Sequence, residues 1–149
     1  MNIVKASTHD HVELTELTKK SKAFWGYTRK QLDEWREFLT ISEEYVDKNT
    51  AYNLVVDSQI VGYYSYIIID DKKVKLDMFF ILPEYIGMKY GSYLLNDFIS
   101  RAKETGFSVV TIDSEPNSEE FYKKFGFEII DSVESSIKGR FIPIMERKL

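Results

Sequence analysis

The sequence contains no cysteine. That excludes a disulfide framework and any thiolate metal site, and it is compatible with a reducing compartment. Histidine is almost as scarce: His9 and His11 are the only two. No third ligand is spaced nearby, so both are read as the solvent side of a helix start and no metal is expected. Long apolar runs are also missing. None approaches the roughly 20 residues that span a bilayer, and the N-terminus carries no signal-peptide pattern. A cytoplasmic protein without a membrane partner is the expectation. Basic residues are not in excess either. The 20 Lys and Arg stand against 24 Asp and Glu, a formal charge of −4, which argues against a nucleic-acid-binding surface. No repeat, linker or low-complexity tract interrupts the 149 residues, so residues 1–149 are read as one domain, long enough to bury a core.

What is present is ordinary for a globular protein, with 44% hydrophobic and 30% charged residues. Ten Tyr and ten Phe are a high count. Such rings line a cleft in some proteins and fill the core in others, and composition alone leaves both open.

The stretch that organises the chain runs from Leu76 to Gly106. Leu76–Leu82 is a short apolar strand that Pro83 terminates, because proline has no ladder donor. Gly87 and Gly91 flank Met88, Lys89 and Tyr90. From Ser92 the spacing becomes helical, with Leu94, Leu95, Phe98, Ile99 and Ala102 on one face, and Gly106 stops the helix. A strand feeding a glycine loop at a helix N-terminus suits an anion, since free N–H groups and the helix dipole converge there. A phosphate of a nucleotide or cofactor is the natural guest, and a plain tight turn is the competing reading.

Upstream, Met1–Ala6 reads as a strand, and Ser7, Thr8 or Asp10 caps a helix carrying Val12, Leu14, Leu17 and Thr18. The aromatic segment Phe24-Trp25-Gly26-Tyr27 follows. Thr28 with Gln31 predicts a capping box for a helix holding Leu32, Trp35, Phe38 and Leu39, and Ser42 opens a further short turn. Residues 51–56 and 59–69 are strands joined by Asp57-Ser58. Downstream, residues 108–113 form a strand parallel to 76–82 through the intervening helix. Pro116-Asn117-Ser118 opens a helix closed by Gly126, and residues 127–133 and 141–145 supply two last strands. The fold expected is α+β, a mixed, mostly antiparallel sheet of about seven strands with helices on both faces.

In this order the elements resemble the GNAT superfamily of N-acetyltransferases, over nearly the whole chain. That family's acetyl-CoA signature reads Arg or Gln, two residues, Gly, one residue, Gly or Ala. Here the run is Ile86-Gly87-Met88-Lys89-Tyr90-Gly91, with Gly91 kept, Ile86 in place of Arg or Gln, and Lys89 in place of the middle glycine. Residues 115–127, with Asn117, Phe121-Tyr122 and Gly126-Phe127, match the family's Asn…Phe-Tyr…Gly-Phe segment. Residues 22–27 and 136–140 with Pro143 resemble a bacterial branch whose substrates are poorly defined.

The resemblance implies an acetyl-CoA-dependent transfer to a primary amine of a small molecule or peptide, with no nucleic acid involved and a homodimer compatible with it. Backbone N–H groups from Met88, Lys89, Tyr90, Gly91 and Ser92 would hold the pyrophosphate, with the lysine adding charge. Backbone near Phe79 and Ile81 would pair with the pantetheine arm, and the Ile81 N–H would face the thioester oxygen. Asn117 matches the family's cofactor-contacting Asn and Tyr122 its general acid; alone, the first reads as a helix cap and the second as a packing ring. Asp77 shares the strand face of Phe79 and Ile81 and is the candidate base, with Glu115 and Glu120 as alternatives and an ordinary ion pair as the competing reading. Trp25, Tyr27 and Arg140 fall on the acceptor side, where rings and a guanidinium suit a small amine bearing an apolar part and a carboxylate. Two other readings compete: an idle acyl-CoA-binding module, motivated by Ile86 and Lys89, and an interaction protein with an exposed apolar patch.

Overall fold

The computed structural model describes the whole chain, Met1–Leu149. Along it come β1 (Asn2–Lys5), a 3-10 turn (Thr8–Asp10), α1 (His11–Ala23), α2 (Arg29–Glu34), α3 (Arg36–Leu39) and α4 (Glu43–Lys48). Then follow β2 (Thr50–Val56), β3 (Gln59–Ile68), β4 (Lys73–Ile81), a 3-10 turn (Pro83–Tyr85) and α5 (Tyr90–Thr105). The chain closes with β5 (Val109–Asp113), a 3-10 turn (Pro116–Ser118), α6 (Glu119–Lys124), β6 (Glu128–Glu134) and β7 (Phe141–Lys148). The strand order in the sheet is β1-β2-β3-β4-β5-β7-β6. Pairing is antiparallel at β1/β2, β2/β3, β5/β7 and β6/β7, and parallel at β4/β5. This is the seven-stranded, mostly antiparallel α+β architecture the sequence predicts. No helix is long and apolar enough to cross a membrane. Two compact units share β4 and α5: Met1–Tyr66 with Met78–Phe98, and Ile67–Asp77 with Ile99–Leu149.

In the first unit, the turn between β2 and β3 places Asp57 at φ 50° and Ser58 at φ 64°. Two successive left-handed residues match the twist of a tight hairpin. Leu14 and Leu17 of α1 are buried, and so are Thr15, Thr18 and Ser21 at three-residue spacing. Thr15 Oγ1 donates to the His11 carbonyl at 2.8 Å and accepts the Ile41 N–H at 2.8 Å. Thr18 Oγ1 donates to the Leu14 carbonyl at 2.7 Å, so its 2.5 Å contact with Tyr63 is donated by the tyrosine. Buried hydroxyls thus extend the apolar face.

Three local expectations change here. Val12 is exposed, since it precedes the buried face by two positions. The helix expected over Leu32–Leu39 breaks at Trp35 (φ −89°, ψ 5°), whose ring is buried, while Phe38 is left in solvent at 76% exposure. Thr28 does cap the Gln31 N–H at 3.2 Å. The reciprocal half of the box is missing, because Gln31 Oε1 has no partner.

In the second unit, β5 runs parallel to the first half of β4, with Lys73–Leu76 opposite Val109–Ile112. β4 therefore begins three residues before the apolar run. Its early lysines are tolerated because Lys75 meets Asp113 at 2.9 Å and Lys73 approaches Glu146 at 3.9 Å. α5 ends at Gly106 (φ 97°), where the Gly106 N–H bonds the Lys103 carbonyl and the Phe107 N–H that of Ala102. That paired closure needs a left-handed residue, which glycine supplies without a Cβ penalty.

Candidate functional site

In the first unit, β4 outlasts its ladder with β5: pairing stops at Leu76, whereas the strand continues to Ile81. The end of the strand is pinned from the other side. Ser21 Oγ donates to the Ile81 carbonyl at 2.5 Å, and the Leu82 N–H donates to the Val61 carbonyl at 2.8 Å. Gly62 permits this approach, since a Cβ there would stand 2.6 Å from Ile81 Cδ1 and 3.0 Å from the Phe80 oxygen. Phe79 and Ile81 are half-buried, and the Phe80 ring lies 6.1 Å from that of Tyr63.

Beyond the Pro83–Tyr85 turn the loop turns left-handed twice, at Gly87 (φ 87°) and Lys89 (φ 66°), with exposed Met88 between them. Backbone of alternating hand curls its N–H groups to one side, which makes an anion-binding concavity. The 16-residue α5 begins at once with Tyr90, and Gly91 and Ser92 lie in its first turn. The rings of Tyr85 and Tyr90 are 5.6 Å apart. The loop's left-handed positions are thus Gly87 and Lys89. Lys89 occupies with a side chain the place where the family's signature has glycine, a strain of about 1–3 kcal/mol. We expect Lys89→Gly to raise Tm and, because it removes a cation, to flatten the salt dependence of acetyl-CoA binding. Titrations at two ionic strengths check this, and an unchanged salt slope would mean that the lysine plays no part in binding.

The aromatic segment after α1 is divided. Phe24 and Trp25 meet edge-on at 5.1 Å and are both exposed. Tyr27 instead packs on buried Trp35 at 4.9 Å, and Lys22 Nζ lies 5.3 Å and 5.2 Å from the two ring centres. The segment is therefore one exposed pair and one cation–π cluster.

In the second unit a polar cluster gathers where β5 hands over to α6. The Glu115 carboxylate accepts from Arg140 Nη2 at 3.2 and 3.3 Å and from Asn117 Nδ2 at 2.8 Å. The Arg140 and Glu115 side chains keep only 17% and 16% exposure. Tyr122 is buried nearby in sequence, its ring packed on Phe121 at 5.2 Å and Phe127 at 5.6 Å. Burial raises its phenol pKa above the ordinary value, and the charge of Glu115 raises it further. Asp77 sits half-buried on β4.

Arg140, expected to meet a substrate carboxylate, is thus bonded to Glu115 of its own chain. Asn117 serves the same carboxylate, and Ser118, the N-cap of α6, makes no side-chain cap. Of the alternative bases, Glu115 is held by both donors, and exposed Glu120 pairs with Lys123 at 3.4 Å. Sequence reasoning missed the Glu115–Arg140 pair, Ser21 and Gly62. A pair 25 residues apart leaves no periodic signal, whereas Ser21 was readable from the hydroxyl spacing on α1. We expect Arg140→Ala, which strands a half-buried carboxylate, to cost about 1.5–3 kcal/mol in denaturant melts. Arg140→Lys, with one ammonium for a fork, recovers part of that.

No curated protein sequence matches this chain, but solved structures do. PaiA N-acetyltransferase from Thermoplasma acidophilum, in complex with coenzyme A, is 24% identical with a TM-score of 0.83, covering 99% of this chain and 98% of that one. A GCN5-related N-acetyltransferase from Rhodopseudomonas palustris is 18% identical with a TM-score of 0.81, covering 99% and 95%. A GNAT family acetyltransferase from Elizabethkingia anophelis with acetyl-CoA bound is 16% identical with a TM-score of 0.70, covering 99% and 97%. At such identities the likeness speaks for the fold. Residues 14–148 also match the family described as the acetyltransferase (GNAT) domain, and this chain, nearly all of which lies within that match, belongs to the GNAT family of N-acetyltransferases.

Proposed function

We propose that all 149 residues act as one acetyltransferase domain that moves an acetyl group from acetyl-CoA to a primary amine of a small molecule or peptide. The observation that carries the reading is the backbone at Gly87 and Lys89, left-handed at both positions and opening directly into α5. The residues present fit a pyrophosphate, because N–H groups and a helix N-terminus meet at one loop beside a lysine. When bound, acetyl-CoA supplies an activated acetyl thioester.

The chain's own groups take the remaining tasks. Backbone from Met88 to Ser92 holds the pyrophosphate, and the Phe79–Ile81 backbone aligns the pantetheine arm. The Ile81 N–H donates to the thioester oxygen as negative charge gathers there. Asp77 takes the amine proton through water, since an ammonium of pKa about 10.4 cannot attack. Tyr122 gives a proton to the departing sulfur. Asn117, held by Glu115, supports the cofactor. Exposed Trp25, and Tyr27 from the cluster on Trp35, offer apolar contacts to the acceptor. Because Arg140 is bonded to Glu115, the reading favours an amine without a carboxylate to be neutralised.

A thermal shift with acetyl-CoA tests this first. A ligand at a hundred times its dissociation constant stabilises by about 2.7 kcal/mol, and no shift at millimolar acetyl-CoA would defeat the reading. The second reading, an idle acyl-CoA-binding module, draws on strained Lys89 and exposed Ile86 in the signature positions. It predicts the thermal shift without thiol release across a panel of amines.

A further inference from the structure

The three buried hydroxyls of α1 do not behave alike. Those of Thr15 and Thr18 turn back onto carbonyls four residues earlier, at 2.8 and 2.7 Å, as helical Ser and Thr side chains commonly do. The Ser21 hydroxyl leaves its helix. It donates to the carbonyl of Ile81, 60 residues away, at 2.5 Å, and the residue is only 5% exposed. A buried hydroxyl that forgoes its local acceptor for a distant one ties two elements together at a single atom.

That atom belongs to a peptide unit fixed at both ends. The Ile81 carbonyl accepts from Ser21, and the Leu82 N–H of the same unit donates to Val61. A residue has two soft dihedrals, so fixing the plane after Ile81 leaves rotation on its N-terminal side as the main freedom of its N–H. There β3 stands close, with the Phe80 oxygen 3.0 Å from the place of a Cβ on Gly62. We propose that Ser21 is a positioning residue for acetyl transfer, holding the Ile81 peptide so that the Ile81 N–H is aimed before the substrate arrives. The inference rests on the assignment of that N–H to the thioester oxygen. Donors aimed in advance stabilise developing charge without reorganising at the moment of reaction.

The test is the carbonyl band of acetyl-CoA, labelled with carbon-13 at that carbonyl, bound to the full chain and read by difference infrared spectroscopy. In the wild type an aimed donor polarises the carbonyl and lowers its frequency relative to free acetyl-CoA. Ser21→Ala is expected to return the band toward the free position and to lower kcat by about ten- to a hundredfold, since small misplacements cost up to that much. KM for acetyl-CoA should stay near wild type. Ser21→Thr, which keeps the donor, should retain the lowered band. A Ser21→Ala protein with a reduced Tm but an unmoved band and intact kcat would overturn the proposal, because the hydroxyl would then serve packing alone. A wild type that binds acetyl-CoA with no band shift removes the Ile81 assignment beneath it. A wild type that does not bind acetyl-CoA at all defeats the acetyltransferase reading itself.

Discussion

Replacing Tyr122 by Phe is expected to lower kcat by about a hundredfold while Tm and acetyl-CoA affinity stay near wild type. General acid catalysis contributes 10²–10⁴-fold, and the lower end applies for a physical reason. Burial, with the nearby charge of Glu115, raises the Tyr122 pKa above its ordinary value, so the phenol always carries its proton at neutral pH but gives it up reluctantly. As the proposed acid, such a donor would act late, when the sulfur already bears most of its charge. A preserved kcat would mean that the hydroxyl takes no part in the transfer and that Tyr122 serves as a ring packed against Phe121 and Phe127.

The same shift has a consequence for stability. A phenol raised above about 10 in the folded state keeps its proton after the unfolded chain has lost it. The stabilisation is complete below pH 10 and is lost as pH rises above it. Denaturant melts of wild type and Tyr122→Phe, close to one another at neutral pH, should separate as the alkaline limb is climbed, with the wild type becoming the less stable, because only the wild type loses this contribution.

Gly62→Val should disturb the fold and the candidate site together. The first added carbon would stand 2.6 Å from Ile81 Cδ1 and 3.0 Å from the Phe80 oxygen. The side-chain tip can yield, but the backbone oxygen cannot do so without moving β4. Overpacking of this kind costs about 1–3 kcal/mol, a Tm lowered by roughly 2–12 °C for a chain of this size. Because the displaced strand end carries Ile81, kcat should fall as well. Gly62→Ala adds only that first carbon, without the two further methyls of valine, and should be milder on both counts. A Gly62→Val protein with wild-type Tm would show that β3 and β4 do not approach as described.

What the sequence made legible was local. The Asp57-Ser58 hairpin, the Ser42 cap and the Gly106 closure are each decided within a few residues by backbone preference, and they form as expected. The strand, loop and helix around Gly87 were legible from a change of period. Less visible was whatever depends on a distant partner. Trp35 breaks a helix whose periodicity looked continuous, and its ring packs on Tyr27. β4 starts early because Lys75 finds a carboxylate on β5. Arg140 was placed near the candidate site by its segment, but its bond to Glu115 depends on how two loops meet. Gly62 looked like any strand residue, since nothing in one sequence reports an approach from a neighbouring strand.

The proposed reaction moves acetyl from acetyl-CoA to a primary amine. It is tested most directly by incubating the full chain with carbon-13-labelled acetyl-CoA and a mixture of primary amines, and following the label by NMR. A new amide carbonyl signal is expected on one of the amines, growing in step with free thiol and lost in Tyr122→Phe at short times. Label that stays in acetyl-CoA, under conditions where calorimetry shows the cofactor bound, would contradict it.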